Sequence, residues 1–341
     1  MVLEHLFPDS WIEKKFLPSM ILGIVYSLIG IFIARLLFGA NSGIVSVMFT
    51  SILLIPSLRK MFRKEEREEE LEKKFSLIRL FKDNKNLIKT YLGIFIGVYI
   101  SFYLVSFLSM SFGWNITKMF GEQLFLDPAI AGRATYDFAT FWNILSNNWW
   151  VLLATFLLSL ISGDGATFFI VWNASAWAVI FAVRSVAASF IMKTSALKIA
   201  LLMQLMTLPH TLLEGGAYIL AGIAGAMISY DATSRSKNLK KFLPLLFLLS
   251  ASFVLINYLF SFISNNVVFL VILRIVSVLG LVYFLQLAFP DSKHQEVFRD
   301  NYWLFIGAII LFIIGALIET GVLSFASLLN NYYLASATFF S

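Results

Sequence analysis

Asp164, Asn173, Arg184, His210 and Glu214 lie in one long apolar stretch, residues 147–229, and Arg274 and Glu319 occupy two later apolar runs. A charge near the centre of a membrane helix costs about 2.5–3.5 kcal/mol on insertion scales, so such groups persist by pairing or by lining a wet cavity. His210 and Glu214 are four apart and stack on one helical face. Three chemistries fit that placement. His210 and Glu214 could supply two metal ligands, with Asp164 or Glu319 as a third. Glu214 or Glu319 could relay protons. Or His210, Glu214, Asn173 and Arg184 could complete one another in an internal hydrogen-bonded cluster, which is the reading favoured here. The metal reading is the weakest, because there is no His-rich set and no His-Glu-x-x-His helix. No metal and no cofactor is expected.

Arg274 sits well inside its run and needs a partner, for which Glu319 is a candidate. Arg35 and Arg184 lie nearer span ends and can snorkel toward the interface. No Gly-x-Ser-x-Gly, no phosphate-binding Gly-Lys-Ser/Thr loop and no paired-carboxylate motif is present, and the chain has no cysteine. An enzyme is therefore not the expected class.

The elements that position these groups carry their own signals. Gly163 and Gly165 flank Asp164 and interrupt the apolar run there. Pro209, followed by Gly215 and Gly216, marks a second interruption. Breaks at membrane depth are tolerated where protein or water satisfies the freed backbone. Beyond the second break, Ala217, Ala221, Gly222 and Gly225 form a small-residue face that allows close helix approach. That face can serve the same chain or another copy of it.

The whole chain supports this setting. Its 341 residues are 59% hydrophobic and 13% charged, with mean hydropathy +0.83. Soluble domains carry about 25% charged residues, so too few polar side chains remain here to cover a water-facing surface. The expected fold is all-α, a polytopic transmembrane bundle of about nine spans, with interrupted helices near 162–165 and 209. The net charge of +6 resides mostly in loops, and nucleic acid is not an expected partner.

Residues 1–58 read as an N-terminal anchor and membrane hairpin. Residues 59–89 form a charged segment with Leu71, Phe75 and Ile78 on one stripe, expected as an amphipathic helix on the cytosolic surface. Residues 90–232 are the core membrane domain, including an external loop at 111–148 in which Phe138, Phe141, Trp142 and Leu145 predict an interfacial helix. Residues 233–292 are an inserted membrane hairpin, and 293–341 a closing core helix and tail. Basic loops inside place the chain in the cell membrane with a cytoplasmic N-terminus. The expected partners are the bilayer, envelope or membrane proteins and a second copy of the chain.

The phrases LLSLISGDGATFFIVWNASAWAVIFA at 157–182 and LPHTLLEGGAYILAGIAGAMIS at 208–229 resemble the stage II sporulation protein M family, especially its archaeal branch. Gly163, Gly165, Ala166 and Trp172 to Ser175 occupy one family element. His210, Glu214, Ala217, Tyr218, Ala221, Gly222 and Gly225 occupy another. GALIET at 315–320 resembles the closing helix, with Glu319 as its acidic residue. The likeness covers roughly 90–232 and 293–323. Thr211 stands where a glycine often follows the histidine, and Asp164 lies inside the glycine element. The resemblance implies a five-span core and a non-enzymatic envelope protein; the bacterial namesake acts beside cell-wall hydrolases while one membrane engulfs another.

Overall fold

The computed structural model describes residues 16–39, 42–69, 84–124, 138–234, 236–263, 266–288 and 292–328. The described residues form ten helices and no strand: α1 (Phe16–Phe38), α2 (Gly43–Glu69), α3 (Lys85–Ser111), α4 (Ile116–Leu124), α5 (Phe138–Ser162), α6 (Ala166–Ile191), α7 (Ala196–Ser234), α8 (Ser236–Ile263), α9 (Val267–Ala288) and α10 (Ser292–Leu328). Seven of these are long and apolar enough to cross a bilayer, and shorter apolar runs lie at Gly43–Arg59 in α2 and Ala251–Phe260 in α8. About nine spans were expected from hydropathy; seven helices meet the length and composition for crossing, and the two shorter runs fall below it. Helices answer the chemistry of hydrocarbon, where each backbone N–H and C=O must be satisfied within the protein. The chain is an all-α, multi-pass membrane protein. The apolar stripe of Leu71, Phe75 and Ile78 lies outside the described residues.

α7 is the most enclosed span. It packs against α5, α6 and α10, while α3 joins α6 to α1. Aromatic rings fill these seams. Phe156 of α5 stacks on Phe305 of α10 with centroids 4.1 Å apart, and Trp177 of α6 lies 6.1 Å from Tyr218 of α7 and 5.9 Å from Phe95 of α3. Glycine sets the closest approaches. A Cβ at Gly225 would meet the carbonyl of Phe156, the Ser159 Cβ at 2.9 Å and the Leu160 nitrogen at 3.1 Å. The α1–α3 seam is equally tight, since a Cβ at Gly23 would lie 2.7 Å from the Ile94 carbonyl oxygen. The small-residue face of α7 is thus turned onto its own chain.

The interruption at 162–165 is a turn between two helices that run in opposite directions. Gly163 takes φ +75°, a left-handed conformation that glycine adopts without the penalty a Cβ imposes. Ser159 organises the turn. Its carbonyl accepts from the Gly163 N–H at 2.7 Å, and its Oγ accepts from the Ala166 N–H at 2.8 Å. Asp164 therefore sits at the end of a helical hairpin, a correction to its expected mid-membrane depth.

The break expected at Pro209 is also corrected, because α7 runs unbroken through it. Proline removes one N–H donor, and a helix this enclosed absorbs that loss by packing. Gly215 and Gly216 are not breaks either. They lie within α7, where a Cβ would come 3.0 Å from the Phe95 ring and 3.0 Å from Leu311 respectively. The interfacial helix predicted from Phe138 to Leu145 is the first part of α5, continuous with the span that follows. Here the aromatic stripe continues into an apolar run with no helix-ending residue between them.

A candidate polar site in two parts

α5 and α7 run parallel and are tied at two levels. Asn148 of α5 bonds Glu214 of α7, and Tyr230 of α7 bonds Asp164 at the end of α5; each pair is 66 residues apart in sequence. A parallel pair with one register can meet in this way at both ends. The two levels are sixteen residues apart on α7, about 24 Å along a helix rising 1.5 Å per residue. The single polar centre expected from the sequence is therefore two centres, at different depths.

The first centre is built around Glu214, which is 1% exposed. The Asn148 amide Nδ2 lies 3.3 Å from each of its carboxyl oxygens. Glu319 of α10 brings its own carboxyl within hydrogen-bonding reach of the same group. Gly315, one turn before Glu319, makes this approach possible, since a Cβ there would come 2.8 Å from the Glu214 Cγ. An ionised carboxylate only accepts hydrogen bonds, so two carboxyls that bond each other hold a proton between them. The Asn148 amide donates to the Glu214 member of the pair. Tyr218, one turn further along α7, is fully enclosed and closes the centre on the Trp177 side.

Several expected members lie elsewhere. His210 is buried one turn before Glu214, but makes no bond to it, and its Nδ1 has no hydrogen-bond partner among the described residues. Asn173 is buried, yet its Nδ2 donates to the Phe169 carbonyl at 2.7 Å on its own helix. A short amide can satisfy itself against the preceding turn, which removes the need for a cross-helix partner. Arg184 is half-buried in the second half of α6 and is not among the partners of Glu214. Arg274 is not paired with Glu319. Its Nη1 donates to the Ser146 hydroxyl at 2.8 Å, and its guanidinium lies 4.8 Å from the Trp150 ring centroid. Among the described residues no three His, Asp or Glu side chains converge as metal ligands.

The second centre joins Asp164 to Arg59 and Tyr230. Arg59 Nε donates to Asp164 Oδ2 at 2.9 Å, with Nη2 of the same guanidinium on that oxygen, and the Tyr230 hydroxyl donates to Oδ1. Asp164 is 4% exposed, whereas half of the Arg59 side chain is open. The pair ties the end of the apolar run of α2 to the α5–α6 turn. Tyr230→Phe removes one charge-assisted bond, and the expected loss is about 1–2 kcal/mol. A double-mutant cycle with Arg59→Ala, read by thermal unfolding in detergent, should show coupling above about 0.5 kcal/mol. Additive losses would mean that Arg59 and Tyr230 do not act on a common carboxylate.

Arg59, Asn148 and Tyr230 were not singled out from the sequence. Arg59 stands at the edge of a charged segment and reads as a loop cation. Asn148 stands at the head of an apolar run and reads as a boundary. A third tie also escaped notice: the Tyr99 hydroxyl of α3 donates to Gln204 Oε1 of α7 at 2.7 Å. No family model, no curated protein and no solved structure matches the chain.

Proposed function

We propose that this multi-pass membrane protein is a non-enzymatic scaffold that takes part in envelope or membrane remodelling by binding partners. The observation that carries this reading is the way its intramembrane polar groups are used. Glu214 accepts from Asn148 and lies against Glu319, and Asp164 bonds Arg59 and Tyr230. These groups hold α2, α5, α7 and α10 in register. The resemblance to the stage II sporulation protein M family supports the same class, and we place the chain with that family as part of this proposal. Arg59 lies at the Asp164 end, and Arg235, Lys237, Lys240 and Lys241 follow Tyr230 in the sequence; this basic grouping supports a cytosolic Asp164 end, with the N-terminus inside and the C-terminus outside. Envelope or membrane proteins, and a second copy of the chain, are its partners.

One observation favours a second reading, a transporter, channel or lipid-moving protein. Glu214 and Glu319 are paired carboxyls within spans, and such groups mark ion and proton paths in many membrane proteins. One pair of experiments separates the two. Affinity capture from crosslinked membranes is expected to return envelope or membrane proteins, undiminished in Glu214→Gln. Proteoliposomes of the purified protein are expected to pass no protons or small ions above empty liposomes. Flux that disappears in a folded Glu214→Gln variant would replace the scaffold with the transporter.

A further inference from the structure

α9 begins at Val267, after the turn at Asn266, which lies at the end of the bundle opposite Asp164. Arg274 is seven residues into this helix, about 10 Å from its start. A guanidinium at that depth can reach the headgroup layer by extending along its stem. Its protein partners are both neutral, the Ser146 hydroxyl and the Trp150 ring. It makes no ion pair among the described residues, and its Nε is buried without an acceptor. A hydroxyl and an aromatic face orient a cation but do not neutralise it. Arginine has five N–H donors in a planar fork, and one donor to Ser146 leaves the rest to be accounted for.

We propose that Arg274, Ser146 and Trp150 form a binding site for the phosphodiester group of an anionic phospholipid, seated between α5 and α9. A phosphate supplies the missing charge and the acceptor geometry that a guanidinium fork matches. Ser146 Oγ accepts from Arg274 and keeps its own hydrogen, which it donates to the same phosphate. Trp150 is 44% exposed and belongs to the aromatic class that settles at headgroup level. The lipid bridges the α8–α9 hairpin to the core helix α5, and the hairpin's seat depends on lipid charge.

The test uses the full chain in nanodiscs of matched-chain phosphatidylcholine with increasing phosphatidylglycerol. Lipid retained on the protein is counted by native mass spectrometry. The wild type is expected to retain phosphatidylglycerol in preference to phosphatidylcholine. Arg274→Gln is expected to bind it about tenfold more weakly, as suits the loss of a charge-assisted contact, and Arg274→Lys to keep part of the preference. Equal retention by the wild type and Arg274→Gln overturns the site. If Arg274→Gln does not fold, the melting temperature of the wild type is followed against phosphatidylglycerol content. A rise that Ser146→Ala blunts supports the site, and a flat response overturns it. Inorganic phosphate or glycerol phosphate matching the effect of phosphatidylglycerol overturns the lipid assignment in favour of a soluble anion.

Discussion

Gly225→Leu is expected to destabilise the fold by more than about 3 kcal/mol. At this position α7 presses on the backbone of α5. The first added carbon would meet the Phe156 carbonyl, with the Ser159 Cβ at 2.9 Å and the Leu160 nitrogen at 3.1 Å. Those neighbours are a neighbouring helix's backbone and the carbon next to it, which cannot rotate away as a side-chain tip can. α7 cannot simply back off, because α10 packs on it too and its ties to Asn148 and Asp164 fix its register. Overpacking in ordinary cores costs about 1–3 kcal/mol and occasionally more, and the loss here is expected to exceed about 3 kcal/mol. That is a large share of the roughly 5–15 kcal/mol that holds a typical protein folded.

Gly280→Ala is the matched control. It lies within α9, where an added Cβ meets nothing within 4 Å, and exchanging helical glycine for alanine is neutral or mildly favourable. Size-exclusion profiles and thermal unfolding in detergent read both variants. A Gly225→Leu protein that stays folded but changes its oligomeric state would move the small-residue face to a contact between copies.

The contrast between these two glycines shows what a single sequence can carry. The spacing of Ala217, Ala221, Gly222 and Gly225 announced a close contact, because small residues at helical intervals have few other uses in a membrane. It could not say whose backbone lay opposite. Gly97 and Gly23, which seat α1 on α3, belong to similar small-residue runs, Gly93-Gly97-Ser101 and Ser19-Gly23-Ser27, which the same rule could have picked out.

The polar residues divide in the same way. Hydropathy exposes a charge in an apolar run, so Glu214, Glu319 and Arg274 were legible as buried groups in need of partners. Their partners depend on which helices become neighbours. Arg274 met Ser146 and Trp150 rather than Glu319 because α9 packs on α5 at that level. Asn173 was misread for a local reason, since its amide turns back to Phe169. Pro209 was overread, because proline weakens a helix by a fixed local amount while the packing that offsets it is spread along the whole length of α7.

Glu214→Ala is expected to cost about 3–5 kcal/mol, and Glu214→Gln about 1 kcal/mol or less. Alanine deletes a carboxyl that serves two neighbours. It leaves the Asn148 amide and the facing oxygen of Glu319 without their bonds, and it opens a cavity between α7 and α10. Each stranded buried polar group adds about 1–3 kcal/mol, and the cavity adds to that. Glutamine changes the chemistry and keeps the shape. Its Oε1 accepts from Asn148 and its NH2 donates to Glu319, so the contact no longer needs a shared proton. Glu319→Gln reverses the roles and should be tolerated equally well. Glu214→Ala with Glu319→Ala should lose at least about 1 kcal/mol less than the two single losses added, because each single change strands the partner that the other removes. Denaturant titration in mixed micelles measures all five variants. A Glu214→Ala protein within about 0.5 kcal/mol of wild type would show that this contact does not hold α7 to α10. The glutamine variant then gives the flux experiment its force. It keeps the helices seated and removes the exchangeable proton, so any change in transport it produces comes from the chemistry of the pair and not from a damaged fold.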